Sequence, residues 1–308
     1  MVEPADGHRR HLTDPVGRDT APRPPSGARS LFERAAGKLH ALRAVAKAVW
    51  IPVNLAIVGL GTRRVEPVGI SAYCIWRSAN AAVVSSFIES LPKDAVVHLH
   101  CLDGVVDPAP DAALHAHTRS SGPGLRMPLL GALIASNPPR LDDHLLIFDD
   151  DVVFVGRGGR SFPAIARTAR LDIAQPAHVP FSPSTFAFNQ MRLLSIARAT
   201  GFVEVGPVVL MSPTAWSMAV PFPADIGMGW GLDVEWTRLR EAGLRLGVVD
   251  ATPVRHLKPV AAGYQADAEW ETLQTRLRQV GAASVNELAD SDAASWRPWR
   301  SAPPWIDA

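Results

Sequence analysis

The sequence is short of cysteine, of net charge and of long apolar runs. Two cysteines, Cys74 and Cys101, in 308 residues exclude a disulfide framework and make a reducing compartment the expectation. Both fall in expected strands, where a buried inert thiol is the ordinary reading. Lys and Arg number 31, Asp and Glu 30, and the formal net charge is +1. That balance gives nucleic acid no electrostatic hold, so it is not expected as a partner. The longest apolar stretch, Ala48 to Gly61, is too short to span a bilayer comfortably and contains Pro52 and Asn54. The first residues lack the basic-then-apolar pattern of a secretory signal. A cytoplasmic location is the resulting expectation. There is no internal repeat, and Gly156-Arg157-Gly158-Gly159-Arg160 lacks the spacing of a phosphate-binding loop.

What is present is an α/β pattern on a chain long enough to bury a sizeable core, with 47% apolar residues. Residues 1–28 are rich in Pro, Arg, Asp and Gly and read as a disordered leader. Residues 29–64 form a second segment. Ser30 caps a helix in which Leu31, Ala35, Leu39, Leu42, Val45 and Val49 recur near helical spacing, with Arg34, Lys38, Arg43 and Lys47 as a basic side. Two readings stand for it. Residues 31–61 touch an anionic membrane peripherally, at its inner face, or they pack on the main domain with a solvated charged side. The main domain is expected over residues 67–262. Residues 263–308 supply a last helix, over 268–280, and a tail carrying Trp296, Trp299 and Trp305.

Val68–Trp76 reads as a strand, Asn80 as the cap of a helix over Ala81–Leu91, and Ala95–Cys101 as a second strand. This β-α-β unit predicts a parallel sheet with a right-handed crossover. Residues 105–123 read as a loop, Met127–Ser136 as a helix and Leu145–Phe148 as a buried strand. A helix over Phe162–Arg170 and a strand over Leu171–Gln175 follow. Further on, a helix is expected around Asn189–Ala199 and a strand over Phe202–Leu210. Ser212 with Pro213 starts a short helix. The spacing then predicts a helix over Val234–Ala242 closed by Gly243 and a strand over Leu244–Val249 that ends at Asp250.

The chemistry gathers at strand ends. Leu145–Phe148 delivers Asp149, Asp150 and Asp151. Three adjacent carboxylates at the carboxyl end of a buried strand repel one another, and a divalent cation is the usual compensation. Asp149 and Asp151 both reach one ion if the chain turns at Asp150. A solvated acidic turn is the plainer reading. Asp103, past the second strand, is suited to accept hydrogen bonds from a base or sugar, or to serve as a turn residue before Gly104. Arg126, at a helix start, can meet a diphosphate, although surface arginines are commoner. Gly227-Met228-Gly229-Trp230-Gly231-Leu232-Asp233 is a pliable loop around one aromatic. Trp230 either stacks on a sugar face or packs in the core. Asp233 is either a general base or the N-cap of the following helix. His256 and Lys258 follow the last strand.

Four stretches carry a resemblance. They are Phe148-Asp149-Asp150-Asp151, Asp172-Ile173-Ala174-Gln175-Pro176, Gly201 to Val205 with Pro207-Val208, and Gly229 to Asp233 with Gly247 to Asp250 and His256. In this order the chain resembles the GT-A glycosyltransferases over about residues 67–262. Within that superfamily it is most similar to a poorly characterised glycosyltransferase-like family. The resemblance implies the GT-A (nucleotide-diphospho-sugar transferase) fold, an α/β fold with a mainly parallel central sheet flanked by helices. It implies a nucleotide-diphosphate sugar donor and a glycan or other hydroxyl acceptor. It implies a divalent metal, Mn²⁺ or Mg²⁺, on Asp149 and Asp151 with His256 as third ligand, and an imidazole ligand favours Mn²⁺. Asp103, Asp150 and Arg126 would face the donor. The Gly-Trp-Gly-acid segment is also similar to that of the β-1,4-galactosyltransferases, which implies Trp230 and Gly231 at the acceptor and Asp233 as base of an inverting hexosyl transfer. Leu232 stands where that pattern departs, and no second acid directly follows Asp233, so Glu235 is a reserve candidate. Two other functions fit the residues. One is a non-catalytic sugar-nucleotide or glycan-binding module. The other is an aspartyl-phosphate phosphohydrolase, whose motif usually sits near the domain's start rather than after two strands.

Overall fold

The structure, a computed structural model, describes residues 45–46, 49–62, 65–104, 112–156, 158–259, 266–289 and 294–306. The leader at 1–28, the helix start at Leu31 and the basic residues Arg34, Lys38, Arg43 and Lys47 lie outside these residues. Residues 49–61 are helical and are called α1. Among the described residues no helix is long and apolar enough to cross a membrane.

The β-α-β unit forms as the sequence predicts. β1 (Ile70–Trp76) and β2 (Val96–Cys101) pair in parallel around α2 (Ala81–Ser90). Residues 112–121 depart from the expected loop and form α3 (Ala112–His117) and β3 (Thr118–Ser121), which extends the sheet edge beside β2. Its polar, exposed side chains hid it. His100 on β2 holds it in place, with Nδ1 2.8 Å from Ser120 Oγ and Nε2 2.8 Å from the Gly122 carbonyl. α4 (Arg126–Ser136) then leads to β4 (His144–Phe148), which pairs in parallel with β1.

Both central strands alternate their side chains between two apolar layers, as the period of two in a strand requires. Ile70, Ala72, Cys74 and Trp76 of β1, with Leu146 and Phe148 of β4, face one layer. Tyr73, Ile75, Leu145 and Ile147 face the other. α2 covers the first through Val84 and Phe87, and the Phe87 ring stacks on Phe148 at 4.1 Å. α4 covers the second through Met127, Leu130, Leu133 and Ile134. Each such fully buried side chain stabilises the fold by roughly 1.5–3 kcal/mol.

β5 (Val152–Phe154), α5 (Gly158–Thr168) and β6 (Ile173–His178) follow, then β7 (Ala197–Thr200), β8 (Val208–Met211), α6 (Pro213–Ala219) and α7 (Leu232–Thr237). β9 (Leu246–His256), α8 (Ala266–Gln279), α9 (Val285–Ala289) and β10 (Ser295–Trp296) complete the described elements. The sheet order is β10-β7-β9-β6-β8-β4-β1-β2-β3, with β5 on β9. The parallel core is β4-β1-β2-β3 and β6-β9. β8 joins its two parts by running antiparallel to both β4 and β6.

Three expectations need correction. The helix around Asn189–Ala199 is absent. A single 3₁₀ turn at Ala187–Asn189 precedes the strand β7, antiparallel to β9. Burial of a polar pair overrides local propensity here. Asp250 is fully buried and accepts from Ser195 Oγ at 2.7 Å, the Arg192 amide at 3.0 Å and Arg198 Nε at 3.3 Å. For the same reason Asp250 does not end its strand. β9 runs on to His256. Finally, the strand over Phe202–Leu210 is ladder-bonded only over Val208–Met211, because residues 201–207 turn aside to form a cavity wall.

Candidate active site

The strand ends assemble the acidic triplet. The last residue of β4, Phe148, is buried, and the Asp149 amide donates to the Pro207 carbonyl at 2.8 Å. The chain turns at Asp150 and re-enters the sheet as β5. β5 lies antiparallel to β9 with Val152 opposite His256, and the Leu257 amide donates to the Asp151 carbonyl at 2.8 Å. Register alone therefore brings His256, over a hundred residues away in sequence, beside Asp151. Nε2 of His256 is 2.9 Å from Asp151 Oδ1.

Ligand atoms of Asp149, Asp151 and His256 all lie within 4.8 Å of one another, and all three side chains are partly buried. Two carboxylates and an imidazole at this spacing fit Mn²⁺ or Mg²⁺, with the imidazole favouring Mn²⁺. Charge compensation within the protein is incomplete. Arg126 Nη2 meets Asp149 Oδ1 at 2.7 Å. Even so, burial raises the Asp149 carboxyl above the usual range, Arg126 opposes that rise, and Asp151 adds to it. Burial disfavours protonated His256, but the hydrogen bond and charge of Asp151 outweigh it and raise the imidazole pKa. Asp150 points differently. Its carboxylate accepts from the Arg77 amide at 2.9 Å, so it fixes the β1 end while still lining the cavity.

The cavity has a volume of about 460 Å³, within the usual range for small-molecule sites. The acidic triplet forms one wall. Residues 204–207, which adjoin the triplet through the Asp149–Pro207 hydrogen bond, and the Gly-Trp-Gly loop line an adjoining wall. Gly229, at φ 122°, and Gly231, at φ 93°, take a backbone that disfavours any side chain, and they flank Trp230. Trp230 is half-buried at the cavity and meets Trp270 of α8 edge to face, with ring centroids 6.0 Å apart. Gly231 carries its amide to Asp233 Oδ1 at 3.1 Å, and the Val234 amide donates to the same oxygen at 3.0 Å.

Asp233 is buried yet lines the cavity. Burial lifts its pKa to about 7, against the pull of those amide donors. Its carboxyl holds the first-turn amides of α7, whose N-cap is Gly231 rather than Asp233, and the same side chain lines the cavity. Glu235 does not line the cavity. It is held by Arg238 at 2.8 Å and Arg276 at 2.9 Å.

Glu204 was not singled out from the sequence, although the Gly201–Val205 stretch that contains it was. It is buried at the cavity wall, and burial together with Asp233 lifts its pKa to about 8. Its Oε2 lies 4.0 Å from Nε2 of the buried His178, whose own pKa is lowered to about 4 by burial and by His256. The available signal was an acid inside the apolar run Phe202-Val203-Glu204-Val205.

Asp103 stands apart from the cavity lining. It accepts from Ser78 Oγ at 2.5 Å and from the Ser78 amide at 3.0 Å; burial raises its pKa, but the hydrogen bonds from Ser78 and Cys101 together outweigh that and lower it. Lys258, by contrast, lines the cavity, with Nζ 2.9 Å from Asn80 Oδ1. Cys74 lies fully buried behind the site; burial and the Asp150 and Asp149 charges push its thiol well above the usual range, as befits an inert residue.

No family model and no curated protein matches the sequence. Solved structures do match in shape. GalNAc-T7 crystallised with UDP, GalNAc and Mn²⁺ aligns with a TM-score of 0.51 at 9% identity, covering 69% of this chain. The chain spans about half of that protein, 48% of its length. S. aureus TarS 1–349 in complex with UDP-GlcNAc aligns with a TM-score of 0.45 at 10% identity, over 70% of this chain and 68% of TarS. The inositol-1-phosphate CTP transferase of T. maritima aligns with a TM-score of 0.38 at 10% identity, over 70% of this chain and 98% of that one. At these identities the likeness is one of fold, and the chain has the GT-A fold, a mixed α/β architecture with helices on both faces of a central sheet.

Proposed function

We propose that this chain is a metal-dependent glycosyltransferase that moves a sugar from a nucleotide-diphosphate donor to a hydroxyl acceptor, with inversion. One observation carries the reading. A three-ligand cluster and a buried carboxyl with a pKa near neutrality line a single cavity. Together they match a leaving group that gains negative charge and a nucleophile that must lose a proton.

A divalent ion on Asp149, Asp151 and His256, Mn²⁺ or Mg²⁺, would neutralise charge on the departing diphosphate. The remaining work falls to the chain. Arg126, Arg77 and Lys258 line the metal side of the cavity and present cationic groups to phosphate oxygens. Asp150 keeps the strand end fixed. Trp230 offers an aromatic face to the acceptor, and Gly231 lets that ring stand there. Asp233 takes the proton from the acceptor hydroxyl as its oxygen bonds to the anomeric carbon. The bond from that carbon to the diphosphate breaks, and its electron pair leaves on the phosphate oxygen. Asp103, hydrogen-bonded to Ser78 outside the cavity lining, is left to the far end of the donor, where a base would lie. The reading places this reaction in the cytoplasm.

Thermal stability against a panel of nucleoside diphosphates, with Mn²⁺ and with chelator, tests the reading. A ligand at a hundred times its dissociation constant adds about 2.7 kcal/mol of stability. A metal-dependent shift with one nucleotide, lost in Asp151→Asn, supports the donor site and names the base. No shift with any nucleotide overturns it. Binding without turnover of any sugar nucleotide would leave a non-catalytic module.

A further inference from the structure

α1 is apolar on both sides, and only one side is used. Its inner face holds Val58 fully buried in the main core, with Leu55 packed beside it and Ile51 on a smaller cluster. Asn54 on the same face accepts from the Leu194 amide at 2.6 Å. The outer face is Val49, Trp50, Val53 and Leu60, with 70%, 56%, 45% and 59% of their surface exposed. These positions recur at helical spacing, so they form one stripe. A docked helix ordinarily turns a polar stripe outward, and an exposed apolar stripe marks an interaction surface.

The Trp-rich tail meets the same helix. The backbone of Pro298 packs so closely on Gly61 that a Cβ there would come within 3.2 Å. Arg297 Nη1 donates to the Leu193 and Leu194 carbonyls at 3.2 and 3.1 Å, the turn whose amide Asn54 holds. The next aromatic, Trp299, is 68% exposed and is followed by exposed Arg300. Two tryptophans, Trp50 and Trp299, thus stand in solvent on segments packed against one another.

Charge selects the partner. Residues 29–64 contain seven Lys and Arg and a single acid, Glu33, a charge of +6 in a chain whose total is only +1. The rest of the chain is net acidic. The basic excess is therefore concentrated in the stretch that carries the apolar stripe. An exposed Trp and aliphatic stripe within a sequence stretch rich in Lys and Arg matches the interface of a bilayer with anionic headgroups, where rings sit at headgroup depth and cations meet lipid phosphates.

We propose that the outer face of α1 and Trp299 form a docking surface for an anionic lipid membrane, on which the chain lies peripherally. This inference is independent of the transferase reading, since vesicle binding and nucleotide binding are separate measurements. The test is co-sedimentation of the full chain with vesicles of phosphatidylcholine alone and of phosphatidylcholine with phosphatidylglycerol. The chain is expected to sediment with the anionic vesicles only, and less so at high salt. Trp50→Asp with Val53→Asp lowers that partition about tenfold or more. Trp299→Ser, at a site far in sequence, lowers it by a smaller factor. Both sites are exposed, so thermal unfolding should be unchanged, and equal melting curves check that the variants fold. Sedimentation with neither vesicle overturns the proposal, as does partition unaffected by both variants. A wild type that is dimeric in solution, made monomeric by the double variant without anionic-vesicle binding, would assign the face to a second copy of the chain and overturn it as well.

Discussion

The two walls of the cavity hold carboxyl groups in opposite circumstances. On the metal wall, Asp149 and Asp151 each touch a cationic or ionisable partner, Arg126 at 2.7 Å and His256 at 2.9 Å. On the adjoining wall, Glu204 and Asp233 lie buried with no arginine or lysine against them among the described contacts. Burial there pushes the two carboxyls to about 8 and about 7. The difference teaches how one fold keeps acids for two purposes. Acids that touch cationic partners are suited to hold a cation, and acids that lack them are suited to exchange a proton near neutral pH.

Exchanging the two characters should break the site, and the metal wall gives the largest effect. Asp151→Asn removes a ligand and strips His256 of its partner. Turnover is expected to fall about a thousandfold or more, together with loss of metal-dependent nucleotide binding, read by calorimetry with Mn²⁺. The adjoining wall should behave differently. Asp233→Asn keeps the shape and removes the proposed base, so turnover falls by about a hundredfold or more while nucleotide binding is unchanged. Equal loss of nucleotide binding in both variants would erase the distinction between the walls.

Much of this contrast was legible in the sequence, and the reasons differ from residue to residue. The metal wall was readable because its signal is local. An apolar strand running into three acids is visible within seven residues, and Asp149 and Asp151 follow from it. His256 was reachable only through the resemblance, because the antiparallel pairing of β5 with β9 that brings it to Asp151 is non-local. The same limitation explains β7. Residues 189–199 carry no helix because Arg198 and Ser195 are recruited by Asp250, more than fifty residues on. Glu204 was passed over since a single acid in an apolar run looks like an edge-strand surface residue until the chain is seen to leave the ladder there. Asp103 read well as a strand-end carboxylate, yet Ser78 sits one hydrogen bond away and occupies it. β3 was hidden by its polar composition, Thr-Arg-Ser-Ser, which period-two reading does not detect.

Glu204 sharpens the comparison through pH. Its carboxyl moves from an ordinary value of 4.5 up to about 8, so between those values the folded chain holds a proton that the unfolded chain has released. The stability it confers is complete below about 4.5 and is lost as pH rises through about 8. Glu204→Gln mimics the protonated form and removes this loss. Its melting temperature should exceed that of the wild type at pH 8.5 and converge with it at pH 4.5, measured by calorimetry in the absence of metal. For Asp233 the same logic concerns turnover. Its base form appears as pH rises through about 7, so kcat/KM should climb across that value in the wild type. A stability difference in Glu204→Gln that is independent of pH would mean the wall is not proton-holding.

The smallest expected effect separates binding from chemistry on the adjoining wall itself. Trp230 is half-buried, braced by Trp270 and framed by two glycines in conformations that other residues resist. That bracing fixes a flat apolar surface beside Asp233, while the ring carries no group that exchanges a proton. Trp230→Ala therefore removes contact area without touching the carboxyl. An aromatic contact of this kind is worth about 0.5–1.5 kcal/mol, which corresponds to a rise of about two- to thirteenfold in the acceptor KM with kcat held. Trp270→Ala should give a fraction of that rise, because it loosens the ring without removing it. If instead kcat falls and KM is steady, Trp230 acts on the transition state, and the adjoining wall is a single catalytic unit with Asp233 rather than a binding surface beside a base.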